Sequence, residues 1–245
     1  MDSGYYAAFS GLLARSQALD IAAGNLANAG TAGYRAERDY FRSAIVGPEA
    51  LASQLNTTVN DFGVLGGSRL DLGEGALTPT GNPLDLAIEG DGFFAVQTKQ
   101  GVRYTRDGQF ERAQDGTLTT QAGEPVLDAR KQPIRVPAGE MVIGSDGAVS
   151  VNGALAGKIA LFGFAAGAAL SAEGANRYAA AAGAQPAAAS GTIRQGAIES
   201  SNQDVIGGSL QLVLMQRQAE MMQKAVSIFS NDFDRTASED LPRVQ

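Results

Sequence analysis

Apolar positions are distributed differently in three stretches of this chain, and each pattern predicts its own kind of element. From residue 9 to residue 26, Phe9, Leu12, Ser16, Leu19, Ala23 and Leu26 recur at alternating steps of three and four, the spacing of a helical seam. Ser3 is placed to cap this helix, and Gly30 and Gly33 to end it. From about residue 202 to 237 the spacing is stricter. Leu212, Met215, Ala219, Met222, Val226, Phe229 and Phe233 form one row, and Leu214, Met221 and Ile228 form a second row beside it. Ser201 or Asn202 is expected to cap the second helix, with Pro242 beyond its end.

Between the helices the period changes. Short β-type runs occupy residues 84–88, 93–97, 102–105, 117–120, 141–143, 148–151 and 159–164. Among them lie five Asp-Gly or Asn-Gly pairs, at 91–92, 107–108, 115–116, 146–147 and 152–153. Such pairs supply the positive φ that tight hairpins need, so the stretch predicts an antiparallel sheet with many hairpins. Leu84, Leu86 and Ile88 alternate as one buried face, with Asp85 expected on the other. Residues 34–79 read as a loop-rich connector. Residues 165–201, rich in Ala and Gly, read as an extended return connector. The expected fold class is α+β. Residues 1–33 and 202–245 form a terminal helical domain packed as a coiled-coil layer, and 80–164 form the β core.

A helix of about 30 residues is roughly 45 Å long, more than a domain of this size requires. Its second apolar row stays exposed unless further helices cover it. The two helices are therefore expected to pack on each other and on those of other copies; a two-helix appendage on the β domain and the core of an ordinary dimer are the alternatives.

Composition narrows the chemistry. The chain of 245 residues has no Cys, His or Trp, which removes thiol nucleophiles, the Ser-His-Asp triad and the usual zinc sites. A net charge of −7 without a Lys/Arg-rich run argues against nucleic acid. The N-terminal segment, with Asp2 where a positive region belongs and Arg15 closing the apolar stretch, is neither a secretory signal nor a membrane span. Asp85, Glu89, Asp91 and Asp107 invite comparison with a calcium site or a glycosidase pair. Their spacing fits no calcium loop, and Asp91 and Asp107 are explained as hairpin residues. No catalytic, cofactor-binding or metal-binding residues are assigned, and no cofactor is expected.

Specific residues add a resemblance. The run 18–28, containing Asn25, Leu26, Ala27 and Asn28, is followed by Gly33, Tyr34 and Arg35, and is similar to the N-terminal signature of flagellar rod and hook proteins. The run 80–94, with Leu84, Asp85, Gly90, Gly92 and Phe93, resembles their most characteristic segment, and Tyr104, Arg106 and Gly108 continue it. Glu199, Ser201 and Asn202 resemble the approach to the C-terminal helix in that family. Gly24 departs from it, where a second Asn is common.

The resemblance implies a structural, non-enzymatic subunit of the bacterial flagellar basal-body rod that polymerises through its terminal helices and transmits torque. It implies copies of itself and other rod proteins as partners, export through the flagellar type III apparatus without a cleaved signal peptide, and a location spanning the periplasm. The length resembles the F-type proximal-rod and G-type distal-rod subunits. Leu12, Leu19, Leu26, Leu212, Met215, Met222, Val226, Phe229 and Phe233 are the expected packing residues between helices. Asn25 and Asn28 are either backbone partners at the helix end or plain turn residues. An extracellular or phage-tail-like binding module, and a carboxylate-dependent cell-wall hydrolase, are the competing classes.

Overall fold

The structure is a computed structural model that describes residues 2–42, 64–164, 170–181 and 183–239. It divides into two compact units: residues 1–27, 37–68 and 205–245 make one, and 28–36 with 69–204 make the other.

The first unit holds the two long helices. Helix α1 spans Asp2–Ala27, so Ser3 lies inside it rather than at its cap. Helix α2 spans Val205–Glu239, 35 residues and about 52 Å at the usual helical rise. The helices contact each other. Along α2 the deeper positions are Gly208, Leu212, Met215, Ala219, Met222 and Val226, which follow the three–four spacing of the first apolar row. On α1 the buried row is Gly11, Ala14, Ala18, Ala22 and Asn25, while Leu12, Leu19 and Leu26 are half-buried and Phe9 is half exposed. Small side chains let a neighbouring backbone approach closely, so the Ala row lies deepest and the larger Leu row flanks it. The strand pair Glu37–Arg42 and Val64–Leu70, most of it in the same unit, lies wholly within the region read as a loop-rich connector.

The second unit is built of strands, and every pairing described there is antiparallel. A four-stranded sheet runs in the order Leu170–Ala172, Tyr178–Ala180, Gly101–Thr105, Phe94–Thr98. A three-stranded sheet has Ala148–Val151 at its centre, between Ala154–Lys158 and Met141–Ile143. The hairpin Phe110–Arg112 with Leu118–Thr120 adds a further pair. Two long-range pairs bring the end of the unit back to its beginning: Thr192–Gln195 on Leu86–Glu89, and Ala197–Glu199 on Leu77–Pro79.

The core lies on both sides of the strand Phe94–Thr98. Phe94 and Val96 join Leu86, Ile88, Phe110 and Leu118 in one cluster. Phe93 and Ala95 join Tyr104, Phe162 and Tyr178 in another. Alternating side chains of a strand point to opposite faces, so a strand buried on both faces carries apolar residues continuously. Aromatic edges fill the second cluster, with Tyr104 and Phe164 ring centroids 4.8 Å apart and Phe93 and Tyr178 5.8 Å apart.

Three findings differ from the expectations. Only the pairs at 115–116, 146–147 and 152–153 close hairpins. Asp91-Gly92 and Asp107-Gly108 join strands that pair with other partners. The Ala/Gly-rich stretch supplies strands, because Tyr178 and Ile193 give an otherwise bland segment large side chains to bury. Asp85 is buried rather than solvent-facing: it accepts a hydrogen bond from Asn82 Nδ2 (3.0 Å), and its backbone oxygen accepts from the Gly196 amide (2.8 Å).

Candidate functional site

Two sets of residues stand out, one in each unit. In the helical unit it is the outer surface of α2. Val205, Ile206, Leu210, Val213, Leu214, Met221 and Ile228 are all exposed, and on α1 so are Phe9 and Leu13. The second row of α2 is thus uncovered, with Leu214, Met221 and Ile228 each close to 60% exposed (58%, 59% and 59%). Large apolar side chains grouped on one side of a helix make that face a candidate contact surface. Leu212, Met215, Met222 and Val226, expected from the sequence to pack between helices, are half-buried. Phe229 and Phe233 fall on α2, but their side chains lie outside the described residues. No helix among the described residues is long and apolar enough to cross a membrane.

At the end of α1, Asn25 is 4% exposed and works as a two-pronged backbone partner. Its Nδ2 donates to the Glu37 carbonyl (2.7 Å), and its Oδ1 accepts from the Glu37 amide (2.8 Å). A side-chain amide matches the donor–acceptor pair of an extended residue, so Asn25 satisfies both polar groups of the residue that opens the first strand. Asn28 closes the turn after the helix, its carbonyl accepting from the Thr31 amide (3.0 Å). Leu26 is half-buried, and Ala27 is the last helical residue.

In the β unit, the signature residues gather around Glu199, which is 1% exposed. Arg35 Nη2 donates to Glu199 Oε1 at 2.6 Å, and Arg106 Nη1 donates to Oε2 at 3.1 Å. The Gly75 amide donates to Oε1 (2.9 Å), and the Gly33 amide donates to the Glu199 carbonyl (2.7 Å). Arg106 Nη2 also donates to the Gly90 carbonyl (2.8 Å), and its guanidinium lies 5.3 Å from the centre of the Phe93 ring. Burial pushes the Arg106 guanidinium below its usual range, while Glu199 pushes it back up. The Arg35 amide donates to the Tyr178 hydroxyl (3.0 Å). Gly33 has φ of +68°, and a Cβ there would meet the Arg106 backbone at 2.3 Å. Gly108 is required for space: a Cβ would stand 1.6 Å from the Leu86 carbonyl oxygen.

Asn202 ties the same region from another side. Its Oδ1 accepts from the Ala36 amide (2.7 Å), its Nδ2 donates to the carbonyls of Asp71 (2.9 Å) and Gly73 (3.0 Å), and its amide donates to the Tyr34 carbonyl (3.3 Å). Asn202 therefore staples segments instead of capping α2. Ser201 accepts from the Gln203 amide (3.1 Å). Leu84 packs against the larger core cluster, and Gly92 lies against Ala189. The part of Gly75 in this knot was not legible beforehand: in sequence it is one glycine among several in a loop.

The acidic residues do not form a reaction centre. Glu89 pairs with Arg194 (3.0 Å), Asp91 is exposed, and Asp107 Oδ1 accepts from the Gln109 amide (3.0 Å). Burial, with Asp85 nearby, raises Asp107 above the usual carboxylate range. No group of three or more metal-ligating side chains occurs among the described residues.

Two family models match parts of the chain: the first takes in most of α1 and Arg35, the second takes in Arg106, and α2 and Glu199 lie outside both. Residues 6–35 match the family model described as "Flagella basal body rod protein", and residues 87–151 match the one described as "Flagellar hook protein FlgE/F/G D1 domain". The chain is 34% identical over 224 residues to the flagellar basal-body rod protein FlgF of Mesorhizobium japonicum, covering 90% of each chain. It is 33% identical over 249 residues to FlgF of Caulobacter vibrioides, covering all of both. It is 31% identical over 245 residues to the rod protein FlgG of Bacillus subtilis, covering 91% of this chain and 93% of that one. The chain belongs to the flagellar basal-body rod protein family.

Proposed function

We propose that this chain is a structural, non-enzymatic subunit of the flagellar basal-body rod whose terminal helices polymerise with those of sister copies and other rod proteins. The observation that carries this reading is the exposed second row of α2, Leu214, Met221 and Ile228, in a chain of this family. In the rod, α1 and α2 form a coiled-coil layer with Leu12, Leu19, Leu26, Leu212, Met215, Met222, Val226, Phe229 and Phe233 packed between helices. Torque passes through interlocked helices repeated heterologously along an open helical assembly. The F-type subunit is favoured by the FlgF relative that matches over its full length. The subunit reaches the periplasm through the flagellar type III apparatus.

The test is deletion of residues 204–245 in the native organism, with motility assays and imaging of basal bodies. The expected result is a non-motile strain with an incomplete rod. A motile strain with a complete rod defeats the reading.

A further inference from the structure

The Glu199 knot carries more positive than negative charge. Two guanidinium groups, Arg35 and Arg106, share one carboxylate, which leaves a net +1 in a dry site. Arg35 Nε and Nη1 and Arg106 Nε are shut off from solvent and lack a hydrogen-bond acceptor among the described residues. Buried N–H donors on a cation are costly to leave unmatched, and one carboxylate cannot serve them all.

A second carboxylate stands nearby on the loop 71–76. Glu74 is exposed, and its field favours the charged form of Arg106. The backbone on both sides of it is pinned to the same region. Asn202 Nδ2 holds the Asp71 and Gly73 carbonyls, and the Ser200 amide donates to the Ala76 carbonyl (2.8 Å). The peptide that links Glu74 to Gly75 itself donates to Glu199 Oε1 (2.9 Å). Gly75 packs so closely that a Cβ would stand 1.9 Å from the Ser200 carbonyl oxygen. The loop is thus held against residues 199–202 with its carboxylate at the edge of an uncompensated cationic site.

We propose that Glu74 is the second counter-ion of the Arg35–Glu199–Arg106 knot, its side chain closing from the loop surface toward the two guanidinium groups and locking loop 71–76 as a strap. The loop then strengthens the tie between the segment that comes after α1 and the segment that precedes α2, both of which pass through this knot.

The test uses the full chain with Glu74→Gln and Glu74→Lys. Glu140→Gln serves as a control that removes one exposed carboxylate elsewhere. Glu74→Gln is expected to speed hydrogen exchange of the Gly75 amide at least tenfold and to lower the melting midpoint by about 3 °C, the scale of a modest loss in a chain of this size. Glu74→Lys, which adds a third cation, is expected to lower it further. Glu140→Gln is expected to change neither quantity. Gly75 exchange and a midpoint that stay at wild-type values in Glu74→Gln overturn the proposal, because some other acceptor then serves the guanidinium groups. Glu74→Lys melting no lower than Glu74→Gln overturns it too, because the loop then contributes no charge.

Discussion

Glu199 is a buried charge held in place by its neighbours, and its removal would strand them. It receives two guanidinium groups and the Gly75 amide while almost wholly shielded from water. Glu199→Gln keeps the shape and an oxygen acceptor but deprives two buried cations of the carboxylate that both of them bind. Breaking a buried pair in this way costs about 3–5 kcal/mol, so chemical denaturation of the variant should show a markedly lower midpoint for the β unit.

Asp107 predicts the opposite sign. Its carboxyl titrates above its unfolded value, chiefly because of burial. A group whose folded pKa is raised favours the native state when protonated, so that stability is lost as pH rises from the unfolded pKa through the folded one. Asp107→Asn keeps an acceptor for the Gln109 amide and removes the ionisation. The variant should melt higher than wild type near neutral pH, and the gain should vanish below about pH 3, where both states of the wild type are protonated. A paired melting series across pH checks this.

Among the elements, α2 bears the clearest division of labour. Its first row, from Leu212 to Val226, lies half-buried in the helical unit, whereas Leu214, Met221 and Ile228 are exposed. Exposed apolar side chains contribute little to the stability of the free chain, because they remain in water whether it is folded or not. The triple substitution Leu214→Gln, Met221→Gln and Ile228→Gln should therefore leave the melting midpoint of the dilute chain nearly unchanged. The same variant should fail to restore motility to a strain lacking this gene. If it restores motility fully, the second row is not an assembly surface.

For the whole molecule, the two units differ in how their stability is supplied. The β unit closes its own core, in which Leu86, Phe94, Val96, Leu118, Val126 and Leu127 have no exposed surface. The helical unit keeps large side chains in water on both helices. Local opening is easiest where few apolar contacts must break. Hydrogen exchange on dilute chain should thus show strong protection at strand amides such as Val96 and Ile88, and much weaker protection along α2. Protection of α2 should rise when the chain is concentrated or mixed with other rod proteins. Equal protection of both units in the dilute monomer would contradict assembly-dependent helices.

Much of the architecture was legible in residue spacing alone. The three–four period of α2 survives in the structure, because a repeat that regular admits one secondary structure and one inner face. The strands at 141–143 and 148–151 were also legible, being short apolar runs flanked by turn pairs. Of the two Asn residues near the end of the α1 seam, whose side chains suit either a backbone partner or a turn, Asn25 takes the backbone role.

Other features depended on partners far away in the chain. Asp91-Gly92 and Asp107-Gly108 look like hairpins locally, yet Leu86–Glu89 pairs with Thr192–Gln195, and Gly101–Thr105 pairs with Phe94–Thr98 while Phe110–Arg112 pairs with Leu118–Thr120. Gly108 is needed because Leu86 crosses over it, and Gly75 because Ser200 does; neither reason exists until the segments meet. The depth of the Ala row on α1 reflects how closely a second helix can approach, which no single-helix pattern encodes. Local periodicity determined what each segment becomes. Long-range contacts decided what each buried polar group must satisfy, since the cost of an unmatched charge depends on every atom that surrounds it.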